Sequence, residues 1–92
     1  MEYLKPSFSD KSQAISKRLT TLMYLNGFSD AELADEIGIK YNDLKKLEFG
    51  FSTDKNAEQK TIIFLRANEY KLISYSGSKE LYQVMFKDLP LI

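Results

Sequence analysis

The sequence predicts a mainly α-helical fold of about four helices followed by a C-terminal β-hairpin. Apolar residues recur at helical spacing, small polar residues and glycines mark the helix ends, and two β-rich runs flank a short turn in the tail. With 92 residues and 43% hydrophobic content, the chain is long enough for one core. We therefore predict a single domain over residues 1–92, with a helical core at 11–69 and a C-terminal extension at 70–92.

The first helix is predicted from about Lys11 to Asn26. Asp10 can cap the free amides of its first turn, with Gln13 as the reciprocal partner, and Gly27 supplies a left-handed stop. The buried stripe follows the i, i+4, i+7, i+8 pattern of an amphipathic helix and consists of Ile15, Leu19, Leu22 and Met23.

Two short helices follow the first. The second helix opens on the S-x-x-E capping pattern of Ser29 and Glu32 and ends at Gly38. The third is predicted from about Tyr41 to Phe49 and is closed by Gly50. Their buried residues are predicted to be Leu33, Ala34 and Ile37 in the second helix, and Leu44 and Leu47 in the third.

The remainder of the chain leaves alternatives open. A fourth helix is predicted from about Ala57 to Asn68 with Asn56 as its cap, although the run TIIFL would also serve as a buried strand. In the tail, a hairpin around SGSK is favoured because Tyr82, Val84 and Phe86 alternate with their neighbours. The alternative is a fifth helix capped by Ser78, whose apolar stripe would be Leu81, Val84, Met85 and Leu89.

Composition excludes several classes of function. The chain contains neither cysteine nor histidine, so we expect no disulfide, no metal site, no cofactor and no enzyme activity. No apolar run approaches the roughly 18 residues needed to cross a bilayer, which predicts a soluble, cytoplasmic protein without a membrane partner. Thirteen basic residues balance thirteen acidic ones, so any affinity for nucleic acid must come from local placement.

Two short helices joined by a tight, glycine-containing turn can hold the second helix at the height at which its N-terminal half enters the major groove of DNA. The segment from about Ile15 to Thr53 resembles the Cro/CI-like, or XRE-type, helix-turn-helix proteins, and most of all the short single-domain repressors of temperate phages. This resemblance implies a lambda-repressor-like fold. The matching residues are Arg18, Leu19, Leu22, Gly27, Phe28, Ser29, Glu32, Leu33, Ala34, Ile37, Gly38, Ile39, Leu44, Leu47, Glu48 and Gly50.

The resemblance implies that the start of the third helix reads base edges. Asparagine can pair bidentately with adenine, lysine can donate to guanine or phosphate, and a tyrosine hydroxyl can reach a phosphate. The free amides at the start of the second helix, near Ser29, bind anions without side-chain charge. The predicted DNA-binding residues are therefore Lys40, Tyr41, Asn42, Lys45, Lys46 and Ser29.

Three positions depart from the family pattern. Asp30 stands where the family usually has a glutamine that helps to contact DNA, and Asp43 also lies near the DNA side. Met23 stands where the family commonly has an arginine paired with the glutamate matched by Glu48, so that ion pair is missing unless Arg18 or Lys45 substitutes. We expect Asp30 and Asp43 to oppose DNA binding.

The tail is predicted to form a homodimer interface through residues 70–92. One helix-turn-helix buries roughly 600 to 1,000 Å² on DNA and binds weakly, so such modules usually dimerise. The tail carries more apolar residues than a small core needs, namely Tyr70, Leu72, Ile73, Tyr75, Leu81, Tyr82, Val84, Met85, Phe86, Leu89, Leu91 and Ile92.

These observations predict a sequence-specific regulator that binds double-stranded DNA as a homodimer, with a repressor of phage or mobile-element type as the expected role. The alternative is a protein-interaction module that keeps the helix-turn-helix scaffold. In that case the acidic surface and the aromatic tail would dock to another protein, as in an antitoxin or a phage-host factor.

Overall fold

Six helices follow one another along residues 10–86, the part of the chain that the computed structural model describes. This range contains no β-strand, which confirms the mainly α prediction. The helices are α1 (Asp10–Asn26), α2 (Asp30–Ile37), α3 (Tyr41–Glu48), α4 (Lys55–Ala67), α5 (Glu69–Ser76) and α6 (Lys79–Met85).

The longest helix, α1, lies at the centre of the packing. It contacts α3, α4 and α5, and α2 packs against α3 and α4. The predicted stripe is confirmed at Ile15, Leu19 and Leu22, which are almost completely buried, whereas Met23 is partly buried at the edge of the core. Burial of this stripe and of the leucines that meet it supplies the main driving force for folding.

The α2–α3 unit forms as its local sequence predicts. The Ser29 hydroxyl accepts from the amide of Glu32, and the Glu32 carboxylate accepts from the amide of Ser29, which completes the predicted capping box. Gly38 ends α2 with φ at 87°, a left-handed conformation that glycine adopts without a steric penalty. The amides of Gly38 and Ile39 both donate to the carbonyl of Ala34, which fixes the turn into α3.

The cap of α4 differs from the prediction. The helix begins at Lys55 rather than Ala57, and the capping residue is Asp54 rather than Asn56. The Asp54 carboxylate accepts from the amide of Ala57 at 2.8 Å. A carboxylate at this position also interacts favourably with the positive end of the helix dipole, which an asparagine side chain cannot match.

The predicted C-terminal hairpin is wrong, because residues 69–76 and 79–85 form the helices α5 and α6. The alternation of Tyr82, Val84 and Phe86 suggested a strand, but Tyr82 and Phe86 are buried with the i, i+4 spacing of a helix while Val84 is 82% exposed. Ser78 caps α6, as the alternative prediction had it, and accepts from the amide of Leu81 at 3.1 Å. Residues 87–92 of the predicted dimerisation segment, with Leu89, Leu91 and Ile92, lie outside the described residues.

A buried polar network joins α6 to α1 and α5. Arg18 is only 2% exposed, and its guanidinium donates to the Tyr82 hydroxyl from Nε at 3.1 Å and from Nη2 at 2.9 Å. The Tyr82 hydroxyl in turn donates to the Glu69 carboxylate at 2.6 Å. The Arg18 side chain is therefore directed towards α6, and it does not replace the missing partner of Glu48.

Candidate nucleic-acid interface

The N-terminal end of α3 presents three polar or aromatic side chains to solvent. Lys40 precedes the helix in an extended conformation, and its side chain makes no capping hydrogen bond. Lys40, Tyr41 and Asn42 are exposed, Tyr41 to 50%. The opposite side of α3 is anchored by Leu44 and Leu47, which are buried against the core. The helix therefore displays these three neighbouring side chains on a rigid support.

The two lysines of the second turn of α3 have different surroundings. Lys46 is exposed, whereas Lys45 is half-buried and its ammonium lies 2.8 Å from Oδ2 of Asp30 and 3.4 Å from Oε1 of Glu48. The same ammonium lies 5.3 Å from the centroid of the Phe49 ring, a favourable cation–π distance. The hydrogen bond to Asp30 raises the pKa of Lys45, so this lysine remains charged.

Asp30 and Glu48 form a carboxyl pair between the start of α2 and the end of α3. Burial of Glu48, together with its interaction with the nearby Asp30 carboxyl group, raises the pKa of the Glu48 carboxyl to about 7. The interaction with Glu48, with a further contribution from the hydrogen bond that Lys45 donates, lowers the pKa of Asp30. Asp30 therefore stays ionised through the neutral range, and Glu48 is the group that titrates there.

Ser29 is exposed, but its polar groups are engaged in the capping box. Its hydroxyl accepts from the amide of Glu32, and its own amide donates to the Glu32 carboxylate. This hydrogen bond from the backbone of Ser29 also lowers the pKa of Glu32. The Glu32 carboxylate consequently occupies one of the amides that the prediction assigned to anion binding.

The other acidic residues of the α2–α3 unit lie in different environments. Asp35 and Glu36 are exposed on α2, on the side of the helix away from the buried Leu33 and Ile37. Asp43 is half-buried in the first turn of α3, and it forms no ion pair with another residue in the range 10–86. Asp30 is thus paired with a lysine, whereas Asp43 remains close to the predicted DNA-binding residues.

The grouping of Asp30, Lys45 and Glu48 was only partly visible in the sequence. Lys45 was one of two candidates to replace the missing partner of Glu48, and it lies within ion-pair distance of that residue. Its shorter contact is with Asp30, 15 positions away in sequence, and this contact depends on how α2 packs on α3. Two indications of this grouping were present in the sequence. Asp30 is an acid where the resembled family has glutamine, and Glu48 lacks the arginine that pairs with it in that family.

Two further features bear on the kind of site. Among residues 10–86, no three carboxylates lie close enough together to hold a metal ion. None of the helices in that range combines the length and apolarity needed to cross a membrane.

Comparisons with known proteins found no relative of this chain. No protein-family model, curated protein or solved structure matches the chain. The choice among functions therefore depends on the geometry and chemistry of the described residues.

Proposed function

We propose that this protein is a sequence-specific regulator that binds double-stranded DNA through a Cro/CI-like helix-turn-helix formed by α2 and α3, and that it represses transcription as a homodimer. The observation that carries the proposal is the exposed group of Lys40, Tyr41 and Asn42 at the start of a short helix. The capped α2 and the turn at Gly38 hold that helix in place.

The dimensions of α3 suit the major groove. An α-helix with its side chains is about 10–12 Å in diameter, and the groove is roughly 12 Å wide, so α3 can enter it with its first turn leading. In this orientation Asn42 would bind an adenine edge, and Tyr41 would contact a thymine methyl group or a phosphate. Lys40 and Lys46 would bind phosphates or guanine, since both side chains are exposed.

The local charge is less unfavourable to DNA than the sequence suggested. From Ser29 to Gly50 the chain has six acidic residues and three lysines. However, Lys45 offsets the charge of Asp30 at 2.8 Å, and the proton taken up near neutral pH offsets that of Glu48. Asp35 and Glu36 lie on the outward side of α2 and can remain in solvent beside the groove. Asp43 is the acid that most opposes this orientation.

Apolar side chains that the core of the protomer leaves exposed support the homodimer. Leu72, Tyr82 and Phe86 are used in the core of the protomer, whereas Tyr70 and Tyr75 of α5 remain 65% and 49% exposed. These two tyrosines border a shallow groove between α5 and the end of α1. A second copy placed there would bury both rings and give two DNA-binding helices per dimer. The groove is lined by Leu25, Asn26, Tyr70, Lys71, Ser74 and Tyr75.

A second candidate function is a protein-interaction module. Phe49 and Phe51, just beyond the end of α3, are 62% and 42% exposed. A phenyl ring offers neither a hydrogen-bond donor nor a charge to a phosphate, whereas exposed aromatic side chains are typical of protein interfaces. If this surface were the functional one, the protein would bind a partner through these rings and would not bind duplex DNA.

Selection of bound sequences from random duplex DNA, followed by fluorescence anisotropy in a salt series, tests the proposal. A DNA reader enriches a recurring site, and its affinity falls steeply with ionic strength. We expect Lys46→Ala to reduce the salt slope by about one, and Asn42→Ala to weaken the preferred site by about 1–3 kcal/mol with little change on other sequences. Lys79→Ala, at an exposed lysine of α6, is the matched control and should change neither quantity. Failure to enrich any duplex at low salt contradicts the proposal.

A further inference from the structure

The contact between the start of α2 and the end of α3 places two carboxyl groups and one ammonium together. Lys45 approaches only one oxygen of each acid, namely Oδ2 of Asp30 and Oε1 of Glu48. The side chains of Asp30 and Glu48 are 22% and 9% exposed, so water has little access to the glutamate. One ammonium therefore faces two acids in a site that is mostly shielded from solvent.

The other two carboxyl oxygens have no donor within the described residues. Oδ1 of Asp30 and Oε2 of Glu48 are both buried, and neither accepts a hydrogen bond from a protein donor. Two ionised carboxylates beside the same ammonium repel each other, and buried acceptors without a donor cost free energy. A single proton shared between the two acids removes both penalties, because the protonated acid donates to the ionised one.

We propose that Asp30 and Glu48 form a proton-binding site, and that binding of DNA to α3 is coupled to uptake of one proton at this site. The coupling rests on the proposed function, whereas the proton site itself does not. It is a regulatory property distinct from the reading of bases by the first turn of α3.

The charges around the site support this assignment. Asp30 from α2 and Lys45 from α3 are the charged groups that shift the Glu48 pKa, and burial contributes most to raising it to about 7. From α1, the neutral hydroxyl of Ser16 donates to the main-chain carbonyl of Glu48. Within residues 10–86, no charged side chain of α1 or α4 shifts the pKa of Asp30 or of Glu48. Histidine, the usual group that titrates in this range, is absent from the chain.

The direction of the coupling follows from the charge of the cluster. With Glu48 protonated, Asp30 and Lys45 cancel, whereas with Glu48 ionised the cluster carries one net negative charge. A nearby polyanion such as DNA disfavours the state in which Glu48 is ionised. The complex therefore takes up a proton, and the affinity for DNA rises as the pH falls. One unit charge roughly 8–10 Å from a phosphate, in partly screened surroundings, changes affinity by about 3- to 10-fold between pH 8 and pH 6. Protonation also releases Lys45 from its 3.4 Å contact with Glu48.

The experiment combines affinity with a direct titration. Dissociation constants for a selected duplex are measured at pH 6, 7 and 8 and constant ionic strength, for the wild type, Glu48→Gln and Glu36→Gln. The wild type and Glu36→Gln, which changes an exposed acid of α2, should bind about 3- to 10-fold more tightly at pH 6 than at pH 8. Glu48→Gln should bind at every pH about as tightly as the wild type does at pH 6.

The side-chain carboxyl carbon of Glu48, followed by NMR in the free protein, reports the proton site without DNA. Titration near pH 7 supports the site, and titration near pH 4.5 overturns it. If Glu48 titrates near pH 7 but Glu48→Gln keeps the wild-type pH dependence of affinity, the coupling is overturned. If no duplex binds at any pH, the coupling fails together with the proposed function, and the NMR titration alone decides whether the proton site stands.

Discussion

Replacing Glu48 with glutamine should stabilise the protein more at pH 8 than at pH 5. In the folded state the Glu48 side chain is mostly shielded from solvent and lies close to Asp30, which raises its pKa from 4.5 to about 7. Between these two values the folded protein binds more protons than the unfolded chain, so wild-type stability falls as the pH rises. Glutamine carries no charge at any pH, and its amide can donate to Asp30 permanently. The stability of the variant therefore does not fall in this way as the pH rises.

The size of the effect follows from the two pKa values. A shift from 4.5 to about 7 corresponds to a linkage free energy of about 2.5 kcal/mol between pH 5 and pH 8. Solvent reaches Asp30, whose side chain is 22% exposed, and screens part of this interaction, which reduces the expected difference to about 1–2 kcal/mol. Asp30 does not contribute in this window, because its pKa is lowered from 3.8 and it stays ionised in both states.

Urea denaturation followed by circular dichroism at pH 5, 6, 7 and 8 measures this difference. The free energy of unfolding of Glu48→Gln minus that of the wild type should grow by about 1–2 kcal/mol across the series. Glu36→Gln, which changes an exposed acid on α2, serves as the control and should run parallel to the wild type. A Glu48→Gln curve that also runs parallel would refute the shared-proton arrangement.

Three further predictions concern the caps, the polar network and the proposed dimer. Ser29→Ala removes the hydroxyl that accepts from the amide of Glu32 and should cost about 1 kcal/mol in urea denaturation, whereas an unchanged midpoint would exclude a stabilising cap. Tyr82→Phe removes the hydroxyl that accepts hydrogen bonds from two N–H groups of the buried Arg18, and it should lower the free energy of unfolding by about 1–3 kcal/mol. A free energy of unfolding within about 0.5 kcal/mol of the wild-type value would contradict this role. Tyr70→Ser removes an exposed ring and should convert a dimer to monomer by light scattering with little loss of helicity; a dimer that persists would place the interface elsewhere.

Local sequence was sufficient to predict the α2–α3 unit. The S-x-x-E pattern at Ser29 and the glycine at position 38 act on backbone groups within a few residues, so their effect does not depend on the rest of the fold. The buried faces of these two helices also followed from helical spacing, since Leu33, Leu44 and Leu47 are buried as predicted. The exposed side chains at the start of α3 are a consequence of that spacing.

The tail and the carboxyl pair could not be predicted in the same way. Tyr82 is buried because it packs against Arg18, 64 positions away in sequence. The Arg18 guanidinium lies over the Tyr82 ring and donates a hydrogen bond to its hydroxyl. Without knowledge of that contact, the alternation around Val84 favoured a strand. The Asp30–Lys45 pair likewise requires α2 and α3 to be packed together before the two charges meet. In both cases the decisive interaction is tertiary, and local propensity gives no information about it.

The most direct test of the DNA-binding surface is an NMR titration of isotope-labelled protein with a selected duplex, in which amide shifts are followed residue by residue. Binding through the first turn of α3 predicts the largest shifts at Lys40, Tyr41 and Asn42, with a smaller change at Lys46. Shifts confined to Phe49 and Phe51 would contradict the proposed surface, because they would place the DNA elsewhere on the protein. The absence of any shift in an excess of duplex would contradict DNA binding and favour the protein-interaction module.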